Sequence, residues 1–276
     1  MTLPQGDVRY FERGEGQPVV FIHGVLVNAD LWRHVVPDVA DAGFRCLAVD
    51  MPLGAHEIPL RPDADLAPVG LADLLADFLD ALDLRDVILV ANDTGGALTQ
   101  IMLSRRPGRV ARVVLTPSDC FDHFFPPMFK PLTQLARIPG SMRPVAALLQ
   151  VKALHRAPFV FGMVTKRPIP APIADSYVQP AHHDAAIRRD LRKVVRAVRS
   201  RYTLEAAEKL RTFDKPVLLA WATEDRTFPL RLGKRLAATL PNARLVEIAD
   251  SYAFVPEDQP SELVRHILEF ASVMAD

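Results

Sequence analysis

The 276 residues suffice for one α/β domain with an insertion, and hydrophobic residues at 49% supply a sizeable core. Lys plus Arg (33) balance Asp plus Glu (33), so net charge favours neither nucleic acid nor an anionic membrane as partner. The sequence has no charged-then-apolar leader at its start and no apolar stretch long enough to span a bilayer. The expectation is therefore a soluble cytoplasmic chain acting on a small molecule.

Short β-rich apolar runs alternate with helical patterns along the chain. Val8–Glu12 reads as an antiparallel first strand. Pro18–Ile22 and Phe44–Val49 follow as near-continuous apolar strands, as a parallel sheet covered on both faces requires. Leu71, Leu74, Leu75, Phe78, Leu79 and Leu82 mark one face of a helix. Val87–Val90 and Val110–Leu115 are the next strands, and Val217–Trp221 and Arg244–Ile248 the last two.

The alternation breaks between Ser118 and Tyr202. That stretch is rich in proline and carries an amphipathic helix with Ile187, Leu191, Val194, Val195 and Val198. It is expected to be a helical cap inserted into one core, because the strands from Val217 onward need the earlier strands as partners. The predicted boundaries are a core of residues 1–117 and 203–276 and a cap of residues 118–202. The cluster Arg188, Arg189, Arg192, Lys193 and Arg196 reads as a solvated helix face. Phe124, Phe125, Met128, Phe129, Phe159, Phe161 and Met163 suit either an apolar ligand or the cap's own packing. Cys46 and Cys120 sit in or beside apolar runs, which favours buried free thiols.

Two segments carry chemistry. Val19–Val25 runs a strand into His23-Gly24 and a loop. Val90–Leu98 runs a strand through Ala91-Asn92-Asp93-Thr94-Gly95 into a helix. Such a small-x-Asp-x-small turn is sharp, and it lifts the central side chain above the carboxyl edge of the sheet. The following helix brings N–H groups and its positive end close by. The same residue also suits a plain helix cap.

At this point the chain resembles the α/β-hydrolase superfamily over nearly its whole length. The resemblance rests on His23-Gly24, the elbow at Ala91–Gly95, Asp50 with Pro52 and Gly54, and Asp225 with Pro229. It implies a mostly parallel, doubly wound sheet with a helical cap. The elbow residue is serine in most members. Asp93 is similar to the aspartate-nucleophile branch of haloalkane dehalogenases and epoxide hydrolases, where the aspartate forms an alkyl ester that a histidine-activated water cleaves. The resemblance implies Asp225 as triad acid, with Asp119 the alternative acid, and the N–H groups of Val25 and Thr94 as an oxyanion hole. It places the histidine at Ala253, within Tyr252-Ala253-Phe254, and alanine cannot take a proton. Both a natural and an introduced alanine fit this sequence.

Other features bound the chemistry. His182 and His183, read as the start of the basic helix, and Tyr177 and Tyr202 are candidate cap contributors, though solvated or packing roles suit them as well. His23 and His56 read as loop supports. Thr94 and Val25 stand where dehalogenases hold halide and supply no side-chain N–H. No metal cluster, phosphate loop or dinucleotide fingerprint is present, so no cofactor is expected. Three classes stay open: a hydrolase of a small apolar electrophile using Asp93; a lyase, isomerase or cyclase using Asp93 as acid or base; and a binding protein on the same pocket.

Overall fold

The computed structural model describes residues 1–158 and 160–272. A two-stranded hairpin, β1 (Thr2–Leu3) and β2 (Gly6–Asp7), precedes a seven-stranded sheet. The sheet comprises β3 (Tyr10–Arg13), β4 (Gln17–Ile22), β5 (Phe44–Val49), β6 (Val87–Asp93), β7 (Val110–Ser118), β8 (Val217–Ala222) and β9 (Ala243–Ile248). Their spatial order is β3-β5-β4-β6-β7-β8-β9, and every pairing is parallel except β3 with β5. The antiparallel first strand begins two residues later and ends one residue later than its sequence pattern indicates. Val8 instead turns inward, fully buried, and its N–H bonds Met1 O.

The helices are α1 (Val36–Asp41), α2 (Pro68–Ala81), α3 (Thr94–Leu103), α4 (Lys130–Leu135), α5 (Met142–Leu149), α6 (Ala171–His183), α7 (Ala185–Ala197), α8 (Ser200–Leu210), α9 (Leu230–Thr239), α10 (Val255–Asp258) and α11 (Pro260–Ser272). They flank the sheet: α2 and α8 pack on α3, and α1 packs on α11. Coverage on both faces explains why β6 and β8 are buried at every residue. The α2 stripe behaves as its 3.6 period demands, with Leu71, Leu74, Leu75, Phe78 and Leu79 all buried.

Between β7 and β8 the described residues form helices and turns and add no strand to the sheet. This excursion is fastened to the rest of the chain by buried acids. Asp190 of α7 is fully buried and accepts from Leu60 N–H at 2.8 Å. Asp258 accepts from Thr165 Oγ1 at 2.8 Å and from the N–H groups of Lys166, Arg167 and Tyr252. The basic face of α7 is less solvated than expected. Arg189 donates to Leu60 O at 2.6 Å, and Lys193 donates to Pro62 O and Ala64 O, so two of these cations fix α7 to the loop before α2. Cys46 and Cys120 are buried and unpaired, and burial pushes the Cys46 thiol up to about 12. No helix among the described residues is long and apolar enough to cross a membrane.

Candidate active site

β6 ends on Asp93, whose backbone adopts φ 56 and ψ −131, a conformation that costs a non-glycine residue energy and is held by the surrounding structure. The turn fits because Gly95 and Gly96 after it and Gly24 facing it have no side chain. A Cβ on Gly95 would lie 2.5 Å from His23 O, and one on Gly96 would lie 2.0 Å from Ser118 Oγ. Gly24 faces the reactive group itself: a Cβ there would sit 2.5 Å from Asp93 Cβ and 2.6 Å from Oδ1.

Asp93 caps α3. Its Oδ1 accepts from the Thr94 N–H and, at 2.9 Å, from Thr94 Oγ1. The Val25 N–H also faces this carboxylate. The Thr94 N–H, one of the two donors expected to form an oxyanion hole, is therefore bonded to the carboxylate of Asp93 itself. Burial nevertheless outweighs these donors and raises the Asp93 pKa above the usual carboxylate range.

The register Asp93↔Ser118 between β6 and β7 brings Asp119 beside the elbow. Asp119 is fully buried; Oδ2 lies 3.2 Å from Thr94 Oγ1, and Oδ1 has no partner among the described residues. Burial, and then the charge of Asp93, hold it well above the usual carboxylate range. Asp225, just past β8, accepts from Thr227 N–H at 2.7 Å through Oδ1, while its Oδ2 is buried without a partner among the described residues. Burial raises Asp225 to about 7, with the charges of Asp93 and Asp258 adding to the shift and the N–H groups of Phe228 and Thr227 opposing it.

Ala253 is fully buried in the loop between β9 and α10. Its carbonyl accepts from Asn92 Nδ2 at 2.8 Å, and the next N–H, of Phe254, bonds Val164 O at 2.6 Å. The loop is thus anchored to the elbow on one side and to the excursion on the other.

Asp93 opens on a cavity of about 70 Å³. Every other lining residue is apolar, among them Val25, Leu26, Phe125, Phe129, Phe161 and Phe254. Of the aromatic and Met residues singled out in the excursion, Phe125, Phe129 and Phe161 reach this cavity. Phe124 is buried elsewhere, Met128 and Met163 do not line it, and Phe159 lies outside the described residues.

The remaining candidates are placed elsewhere. Tyr177 is fully buried, close to the Arg33–Glu257 ion pair, and does not line the cavity. Tyr202 is half-buried, stacked under Arg201, and does not line it either. The structure therefore brings no tyrosine pair to Asp93. His182 and His183 are exposed and end α6 rather than starting α7. The break comes at Asp184, which caps α7 through a bond from Ala186 N–H at 2.6 Å. An acid just before an amphipathic run is a legible cap, and it marks the boundary that the histidine pair obscured.

His23 Nε2 accepts from Met51 N–H at 2.9 Å, so its proton is on Nδ1, directed to Gly24 O at 2.8 Å. His56 Nδ1 accepts from Gly54 N–H at 3.2 Å. Both therefore support loops. Among the described residues no histidine bonds Asp93, Asp119 or Asp225, and no group of acids, cysteines and histidines has the arrangement of a metal site.

A sharp, strained elbow between strand and helix, with small residues packed against it and acids at the ends of the following strands, defines a hydrolase-type α/β scaffold. The chain belongs to the alpha/beta hydrolase family, which it matches over residues 19–266. It is 30% identical over 272 residues to non-heme chloroperoxidase CPO-A1 of Kitasatospora aureofaciens, covering 96% of this chain and 95% of that protein. It is also 30% identical over 278 residues to haloalkane dehalogenase 2 of Mycobacterium tuberculosis, covering 96% and 91% of the two chains. The crystal structure of the haloalkane dehalogenase DatA from Agrobacterium tumefaciens shares the fold. Its TM-score is 0.79 at 24% identity, over 98% of this chain and 95% of that one.

Proposed function

We propose that this protein is an enzyme acting on a small apolar electrophile, an epoxide, ester or similar, with Asp93 as nucleophile. The observation that carries this reading is the cavity: Asp93 is the one ionisable residue lining an otherwise apolar space. With Oδ1 held by donors, the carboxylate attacks carbon, the carbon–oxygen bond of a strained ring breaks, and the released oxygen takes a proton from water. The product is an alkyl ester on Asp93. Dehalogenases among the relatives make a haloalkane a natural candidate, but among the described residues no side-chain donor lines the cavity to receive a leaving halide.

In this reading residues 118–202 form a cap over the cavity, Asp225 is the triad acid, and Ala253 stands at the histidine position. The ester then accumulates or hydrolyses slowly, because no side chain activates the water. The absence of a base at Asp93 among the described residues also supports a second reading, in which Asp93 works as an acid or base in a lyase, isomerase or cyclase without a covalent intermediate.

Intact-mass analysis after incubation with a panel of epoxides, esters and haloalkanes separates these readings. An adduct lost in Asp93→Asn supports the nucleophile. Conversion with no solvent oxygen in the product supports the second reading. Tight binding without adduct or conversion across the panel overturns both and leaves a binding protein.

A further inference from the structure

The Thr94 hydroxyl lies between two buried carboxyl groups, 2.9 Å from Asp93 Oδ1 and 3.2 Å from Asp119 Oδ2. A threonine hydroxyl has one proton to donate. It serves one acid as donor, and a bond to the other needs a proton from that acid.

The distribution of donors decides which acid holds the proton. Asp93 also receives the Thr94 N–H, faces the Val25 N–H and sits at the N-terminus of the ten-residue helix α3. Among the described residues no N–H reaches the Asp119 carboxyl group; Gln100 Nε2 goes to its main-chain oxygen at 2.9 Å. Arg235, the cation beside neighbouring Cys120, is paired with Asp122 at 2.9 Å. Asp119 is 0% exposed, against 8% for Asp93. Charge is therefore better stabilised on Asp93, and the proton belongs on Asp119.

We propose that Asp119 is a proton-carrying positioning residue: its neutral carboxyl donates from Oδ2 to Thr94 Oγ1, which commits the single Thr94 proton to Asp93 Oδ1. Asp93 then has the hydroxyl as a further donor, alongside the Thr94 and Val25 N–H groups, on the carboxylate that would carry the ester. Asp119 acts on the reaction through Thr94, with no histidine between them. The raised titration of Asp119 agrees with this arrangement. The proposal rests on Asp93 as the reacting group, but its test needs no substrate, so the two fail separately.

Infrared difference spectra between the protein and Asp119→Asn at pH 7 read the proton directly. The expected result is a carboxylic-acid C=O band present in the parent and lost in the variant; an unchanged acid band overturns the proposal. Carbon-13 NMR of labelled aspartate follows the titration of Asp93, assigned with Asp93→Asn. Asparagine at 119 still donates an N–H to Thr94, so the Asp93 midpoint should hold in Asp119→Asn. It should rise by about one pH unit in Thr94→Val, which removes the hydroxyl donor. A lower midpoint in Asp119→Asn means that a like charge has been removed, and it overturns the proposal. An unmoved midpoint in Thr94→Val, a variant that keeps Asp119 in place, does the same.

Discussion

Asn92 donates its side-chain amide to the main-chain oxygen of Ala253 at 2.8 Å, so the residue before Asp93 holds the loop in which Ala253 lies. The same amide donates to Thr116 Oγ1 at 2.8 Å and lies 3.2 Å from Pro117 O. One buried side chain thus ties β6, β7 and the β9–α10 loop together. Asn92→Ala leaves these acceptors buried without their donor and should cost about 2–3 kcal/mol in denaturant unfolding. A loss under 0.5 kcal/mol, on the order expected at an exposed site, would show that the loop is held by other contacts.

Gly24 touches the reactive group, and no larger residue fits there. A Cβ at 2.5 Å from Asp93 Cβ forces either the elbow or the loop to move. Gly24→Ala should destabilise the fold by about 1–3 kcal/mol. It should also slow adduct formation on Asp93 by about 100-fold or more, since small displacements of reacting groups are that costly. Gly108, with nothing near its Cβ position, is the control: Gly108→Ala should leave both quantities nearly unchanged.

The sheet was legible because its inner strands are buried on both faces and read as unbroken apolar runs, as in Val87–Val90. The elbow was legible because its backbone demands small residues around Asp93. The linkage between acids was not. Thr94 bridges Asp93 and Asp119 only because β6 and β7 end in register, and register is a property of paired strands rather than of either segment. For the same reason Tyr177 looked available for chemistry, whereas α6 turns it to a buried position close to Arg33, itself salt-bridged to Glu257.

Asp225 makes stability depend on pH. Its folded value of about 7 lies above the roughly 3.9 of an unfolded aspartate, so the folded state holds the proton more tightly. The stabilisation is complete below about pH 4 and is lost as pH rises through 7. Asp225→Asn removes this dependence. Relative to the parent, the variant should gain about 2–4 kcal/mol between pH 4 and pH 8. Thermal melts of both proteins across that range test this, and a constant difference in Tm would rule out Asp225 as the titrating group.

The last prediction concerns Ala253. Asp225 Oδ2 is buried without a partner among the described residues, and Ala253 is fully buried in a loop tied to the elbow. The expectation is that its Cβ faces Asp93 and Asp225, so that an imidazole there would take one ring N–H to Asp225 Oδ2 and turn the other nitrogen toward water at Asp93. Ala253→His should then raise hydrolytic turnover by about 10²–10⁴-fold, the range of a positioned general base. An adduct that persists on Asp93 with alanine should decay with histidine. The pairing should also pull the Asp225 titration down from about 7, because a protonated imidazole favours the carboxylate. The measurement needs a substrate that the parent binds, with circular dichroism and binding confirming that the variant is intact. If Asp225 shifts down but turnover stays flat, the imidazole is in place and water activation is not the missing step. That result would favour an acid–base role for Asp93 over a nucleophilic one.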